Sequence, residues 1–195
     1  MNQLSDEELF RLFKDGQKTA FDKLVLRYKD KLYTFIYMIV NDVDLAEDLT
    51  QDTYLKVYTK KDSYNETSAK FSTWMYTIAK NAAFTELRKK KRRKTNSISE
   101  ISKISDDENR TIEISDPSME DLETEVMNDY MKKSYHSAIS QLKQDFQTII
   151  ILRDIQELSY DAISIILEVP IGTVKSRINR ARLKLLELIK EKGII

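Results

Sequence analysis

The sequence predicts an all-α chain of two helical domains joined by a flexible acidic linker, on three observations. Its 195 residues hold three Gly and two Pro, few turn signals for a chain built of strands. Apolar residues recur at spacings of three and four rather than two, the period of a helix face. Between 95 and 120 that period disappears into Ser, Asp, Glu and Asn, and Asp116-Pro117 breaks any helix that would continue. The domains are accordingly expected at 1–94 and 121–195, with the linker at 95–120.

Each element has its own signature. Ser5-Asp6-Glu7-Glu8 has capping-box form and opens a short first helix. Phe21, Leu24, Val25, Tyr28, Leu32, Phe35, Ile36 and Ile39 mark one face of a long second helix. Ala46, Leu49, Thr53 and Val57 do the same for a third, and Trp74, Met75, Ile78, Ala79 and Ala82 for a fourth. Helical patterning returns with Tyr135, Ala138, Ile139, Leu142, Phe146, Ile149 and Ile150. A short helix from Leu158 to Ile166, a tight turn at Glu168-Val169 and a helix opened by Pro170 have helix-turn-helix spacing.

Composition excludes several functions. There is no Cys and one His, so neither a disulfide nor a thiolate or multi-histidine metal site can be built. No apolar run approaches the ~20 residues of a membrane span, and the acidic start is unlike a secretion signal, so membrane insertion is not expected and the chain is placed in the cytoplasm. The 32 basic and 32 acidic residues balance only on average, because Arg88 to Lys94 is wholly basic and the stretch from Ser105 to Glu125 mostly acidic. A basic block attracts a polyanion, and an acidic one suits a basic channel.

Three surfaces carry candidate function. On the last helix Ile171, Val174, Ile178, Ala181, Leu185 and Leu188 form a packing face. Lys175, Ser176, Asn179 and Arg180 lie opposite, with Thr173 at the start and Arg177 and Lys184 at the edge. Ser, Asn and Arg bond base edges, and Lys and Arg hold phosphates, so this face fits a DNA groove. On the third helix Glu47, Asp48, Gln51 and Asp52 surround Leu55, a pattern that fits protein docking but also an ordinary solvated face. The fourth helix turns Thr77, Lys80, Asn81, Phe84 and Arg88 to one side, after a polar loop from Asp62 to Lys70 that includes Tyr64 and Ser68. Aromatic groups beside cations suit single-stranded DNA; Trp74 fits either base stacking or the core.

Ala46-Glu47-Asp48-Leu49-Thr50-Gln51-Asp52-Thr53-Tyr54, Phe71-Ser72-Thr73-Trp74-Met75-Tyr76-Thr77-Ile78-Ala79-Lys80-Asn81 and Ile171-Gly172-Thr173-Val174-Lys175-Ser176-Arg177 resemble, in this order, motifs of extracytoplasmic-function (ECF) sigma factors. The resemblance implies that the first domain is sigma region two and the second sigma region four. It implies a non-enzymatic subunit, without cofactor or metal, that binds core RNA polymerase at the clamp helices of its largest subunit and at the flap region. Its other implied partners are double-stranded and melted promoter DNA and an anti-sigma factor.

By the same resemblance Asp48, Gln51, Asp52 and Leu55 contact core polymerase. Tyr64, Ser68, Trp74, Lys80, Asn81 and Arg88 meet the minus-ten element, with Tyr64 and Asn81 forming a pocket for a flipped base. Thr173, Lys175, Ser176, Arg177, Asn179, Arg180 and Lys184 meet the minus-thirty-five element. Glu168 departs from the family, which usually has a small or polar residue at that turn, as does Asn179, where bulkier residues are common. The alternative is a helix-turn-helix regulator acting without core polymerase; it predicts a palindromic site and leaves the N-terminal motifs unexplained.

Overall fold

The computed structural model describes residues 4–98 and 134–192, with backbone alone from 94 to 98. The expected linker at 95–120 therefore lies largely outside the described residues. Every regular element among those described is helical: α1 (Asp6–Lys14), α2 (Lys18–Val40), α3 (Val43–Thr59), α4 (Phe71–Ile98), α5 (134–140), α6 (Gln144–Ile150), α7 (Tyr160–Leu167) and α8 (Ile171–Glu191). Helix α4 continues past the boundary expected at 94.

Local chemistry sets the starts and stops. Ser5 and Glu8 close the capping box of α1, with the Ser5 N–H donating to Glu8 Oε2 at 2.7 Å and the Glu8 N–H to Ser5 Oγ at 3.2 Å. Gly16 takes φ 99°, which turns the chain from α1 into α2. Asn41 at φ 52° ends α2, and Asp42 caps α3 through the Leu45 N–H, so two residues join a long antiparallel pair. The core of this domain is aromatic: Phe10 meets Tyr64, Phe71 and Trp74 at 4.8, 5.1 and 5.7 Å, and Phe13 stacks on Phe21 at 4.7 Å.

In the second domain Ile149, Ile150, Ile151 and Leu152 are all fully buried. The helix widens there into a π turn over Ile151–Ile155, with the Gln156 N–H reaching the Ile151 carbonyl at 2.9 Å. Ser159 caps α7 through the Ala162 N–H. Glu168 takes φ 57° after α7, its N–H satisfying the carbonyls of Ser164 and Ile165, while Ser164 Oγ donates to the Val169 carbonyl at 2.6 Å. The turn thus forms despite the side chain, at the modest cost of a left-handed backbone.

Helix α8 packs through Val174, Ile178, Ala181, Leu185 and Ile189. Ile171, expected on that face, is 40% exposed, because α8 begins before the core is reached.

The domains dock. Gln147 Nε2 donates to the Met38 carbonyl at 2.7 Å, Tyr76 Oη to Gln156 Oε1 at 2.6 Å, and Lys80 Nζ to the Ile166 carbonyl at 2.8 Å. The His136 ring stacks on Tyr37 at 5.1 Å.

Candidate functional site

Helix α3 buries Ala46, Leu49, Thr53 and Val57, which fixes its rotation and turns Asp48, Gln51, Asp52 and Leu55 to solvent. Leu55 is 61% exposed, an unburied apolar group ringed by acidic and amide side chains. The neighbouring α2 adds an exposed Leu26 that periodicity did not single out, because it falls between apolar positions that pack.

The loop before α4 behaves differently from expectation. Tyr64 is 6% exposed, with its Oη donating to the Ala69 carbonyl at 3.0 Å and its ring edge-on to Phe10 at 4.8 Å. Burial, aided by Glu7, Glu66 and Asp6, pushes its phenol up to about 12, so it stays a neutral donor. Tyr64 lines a cleft of about 460 Å³ with Arg11, Lys14, Asn65 and Glu66, whereas Asn81 lines a different groove of about 420 Å³ with Asp52, Lys56, Thr85 and Lys89. In the free chain the two residues expected to share a pocket thus line separate clefts: the phenol braces the loop, and Asn81 stands beside α3.

Ser68 is exposed, and its N–H donates to the Asn65 carbonyl at 3.1 Å. Trp74 is half-buried, tilted against Tyr64 at 5.2 Å, so its ring belongs partly to the aromatic core. Arg88 is exposed, its Nε donating to the Phe84 carbonyl at 3.2 Å. Lys80, expected at the minus-ten element, is 7% exposed in the free chain and covered by the second domain.

On α8 the exposed face is continuous. Lys175, Ser176, Asn179 and Arg180 are open to solvent, and Arg180 Nε donates to the Ser176 carbonyl at 3.3 Å, which holds the guanidinium along the helix. Thr173 is half-buried in the first turn. Arg177 is also half-buried, 3.6 Å from Asp145, and Lys184 pairs with Glu187 at 2.7 Å. Spacing could not reveal Asp145, which comes from α6. Nor could it reveal Tyr37, Tyr76, His136, Gln147 and Gln156, whose partners lie across the domain boundary.

Among the described residues no three His, Cys, Asp or Glu side chains gather as metal ligands, and no helix is long and apolar enough to cross a membrane.

Known proteins agree with this architecture. Residues 24–93 match the family described as Sigma-70 region 2, and residues 132–185 that described as Sigma-70, region 4. The RNA polymerase sigma-H factor of Pseudomonas aeruginosa is 34% identical over 93% of this chain and 92% of its own. The ECF RNA polymerase sigma-E factor of Haemophilus influenzae is 34% identical over 97% of this chain and 96% of its own. Among solved structures, the sigma factor RpoE of Bartonella quintana, in complex with the anti-sigma factor NepR, matches with a TM-score of 0.68 at 29% identity, over 87% of this chain and 96% of that one. With both regions present in order and relatives aligned over nearly their whole length, the chain belongs to the ECF sigma factors of the sigma-70 family.

Proposed function

We propose that this sigma factor works through three separate surfaces: the α3 stripe docks on core RNA polymerase, the α4 face engages the minus-ten element as it melts, and α8 reads the minus-thirty-five element. The observation that carries the reading is α8 itself. Its buried Val174, Ile178, Ala181 and Leu185 lock the helix, and Lys175, Ser176, Asn179 and Arg180 are left as one open polar face behind a helix-turn-helix. Such a face presents donors to base edges and cations to phosphates.

Asp48, Gln51, Asp52 and Leu55 suit a protein rather than DNA, because carboxylates repel phosphates while an exposed Leu gains by desolvation. Beside them Asn81 meets a displaced base in this reading, and Arg88 holds its phosphate. The chain contributes specificity and strand capture, acts in the cytoplasm, and leaves phosphodiester chemistry to the polymerase. The anti-sigma factor bound by the Bartonella relative makes a similar partner our expectation here.

The test is to add the purified chain to core RNA polymerase with a promoter library. Promoter-specific transcripts that depend on the chain are expected. Specific binding to a palindromic site without polymerase, and no such transcripts, would favour a stand-alone regulator.

A further inference from the structure

The loop from Tyr64 to Lys70 leads into α4, and its Asn65, Glu66, Thr67 and Ser68 are exposed. Its own bonds close it on itself: Tyr64 Oη donates to the Ala69 carbonyl at 3.0 Å, and Asn65 Oδ1 accepts the Thr67 N–H at 3.0 Å and its hydroxyl at 2.8 Å. These bonds do not set where the loop points relative to α4. That direction comes from α1, far earlier in the chain.

Glu7, Arg11 and Lys14 follow one another at spacings of four and three, so they form one stripe along α1. The stripe meets the loop at its end, its tip and its start, in reverse order. The N–H of Phe71, the first residue of α4, donates to Glu7 Oε1 at 3.2 Å. Such an N–H has no partner inside its own helix, and a carboxylate suits the positive end of the helix dipole. At the tip, Arg11 Nε lies 3.3 Å from Glu66 Oε2 across the cleft of about 460 Å³ that both line. At the start, Lys14 Nζ donates to the Tyr64 carbonyl at 3.0 Å, and Lys61 Nζ returns to the Lys14 carbonyl at 3.4 Å. Between the charges, Phe10 packs on the rings of Tyr64 and Phe71, the residues that bound the loop.

A reading loop keeps a defined shape only when a rigid element supports it. Two of these anchors are also ill suited to DNA themselves. Glu7 repels a phosphate, and Lys14 is half-buried with its ammonium on a carbonyl.

We infer that α1 is the positioning element of minus-ten readout: Glu7, Arg11 and Lys14 hold the 64–70 loop in the shape that selects a base, without touching DNA. The inference rests on the minus-ten role proposed above for the first domain. Promoter preference then depends on a helix outside the three proposed surfaces, and substitutions in that helix retune it.

The test uses holoenzyme assembled from core polymerase and the full chain, on pre-melted templates of a promoter that the factor transcribes. The templates differ by single bases in the minus-ten element, and preference at each position is the affinity ratio between best and worst base. Hydrogen exchange of the free chain reports on the loop through the Ser68 and Ala69 N–H groups, which both bond the Asn65 carbonyl. Glu7→Ala and Lys14→Met are expected to speed exchange there. They should also lower the ratio at one position about fivefold, the low end of what a base contact discriminates. Glu7→Gln keeps an acceptor and Lys14→Arg a charged donor, so both should retain most of the preference. Arg11→Ala removes only a solvent-exposed pair, so folding survives it, and the ratio should fall about twofold. Salt dependence should match the wild type in every variant, because no phosphate contact is lost.

Equal losses on every template, with the ratios intact, would make the anchors merely structural and overturn the inference. A salt slope lowered by about one unit, the mark of a direct phosphate contact, would overturn it as well. So would unchanged loop exchange in Glu7→Ala, Lys14→Met and Arg11→Ala. A wild-type holoenzyme with no preference among the templates would instead remove the minus-ten reading itself, and the inference with it.

Discussion

Arg180 and Lys184 lie one turn apart on α8 in different company. Arg180 rests along the helix on the Ser176 carbonyl in the open polar face, whereas Lys184 pairs with Glu187 at its edge. A guanidinium directed at a base edge typically discriminates by about 1–3 kcal/mol, while a phosphate contact strengthens binding to every sequence alike and contributes about one unit of log-log salt slope. Arg180→Ala is therefore expected to flatten preference among single-base minus-thirty-five variants. Lys184→Ala should lower binding to all of them and reduce the salt slope. Binding of both variants across such a panel at two salt concentrations checks this, and equal losses everywhere would make the face a backbone tracker only. His136 is the other informative residue, because among the described residues its buried Nε2 has no hydrogen-bond partner and burial holds its imidazole below its ordinary pKa. The unfolded chain then binds the proton more readily, so stability is full above about 6.5 and falls as pH drops from there toward the folded value. His136→Phe, which keeps a ring against Tyr37, should lose that part of the slope when denaturant midpoints are compared between pH 7 and pH 5.5. An unchanged slope would mean that the imidazole is solvated.

Helices show how far periodicity carries and where it stops. The four packing positions expected for α3, Ala46, Leu49, Thr53 and Val57, are the four that are buried, so its solvent face follows from spacing alone. Reversing Asp48 and Asp52 to Lys should abolish co-elution with core polymerase while circular dichroism and thermal unfolding change little, since neither side chain packs. Retained binding at wild-type affinity would remove α3 as the docking surface. The capping signal at Ser5 was equally legible, whereas the caps at Asp42 and Ser159 came from the structure; all three accept backbone N–H groups where helices begin. The π turn after α6 was not, because four successive apolar residues fit a buried helix of either winding. The Glu168 turn was legible as a turn but not in its consequences, since the Lys80 partner comes from another domain.

Docking of the two domains is a property of the whole molecule. Gln147 is 7% exposed and holds the carbonyl of Met38 near the end of α2, so Gln147→Ala leaves a buried acceptor unpaired. A loss of about 1–3 kcal/mol in denaturant-measured stability is expected from that desolvation. A change within a few tenths of a kcal/mol would show that water reaches Met38 and that the domains are apart in solution.

By itself the sequence determined the helical class, the two domains, the family and the exposed faces of α3 and α8. The helical class and those faces depend on residues three or four apart on one helix, where spacing dictates which side is buried, and the family on three motifs in order. Tertiary structure alone decided that Tyr64 and Asn81 line different pockets and that Trp74 belongs partly to the core. It also decided that Lys80 is covered by the second domain. The physical reason is range: Lys80 meets a carbonyl at position 166 and Gln147 one at position 38, and no local pattern encodes partners so distant. Periodicity says which side of a helix leaves water, and only the fold says what covers the sides that remain.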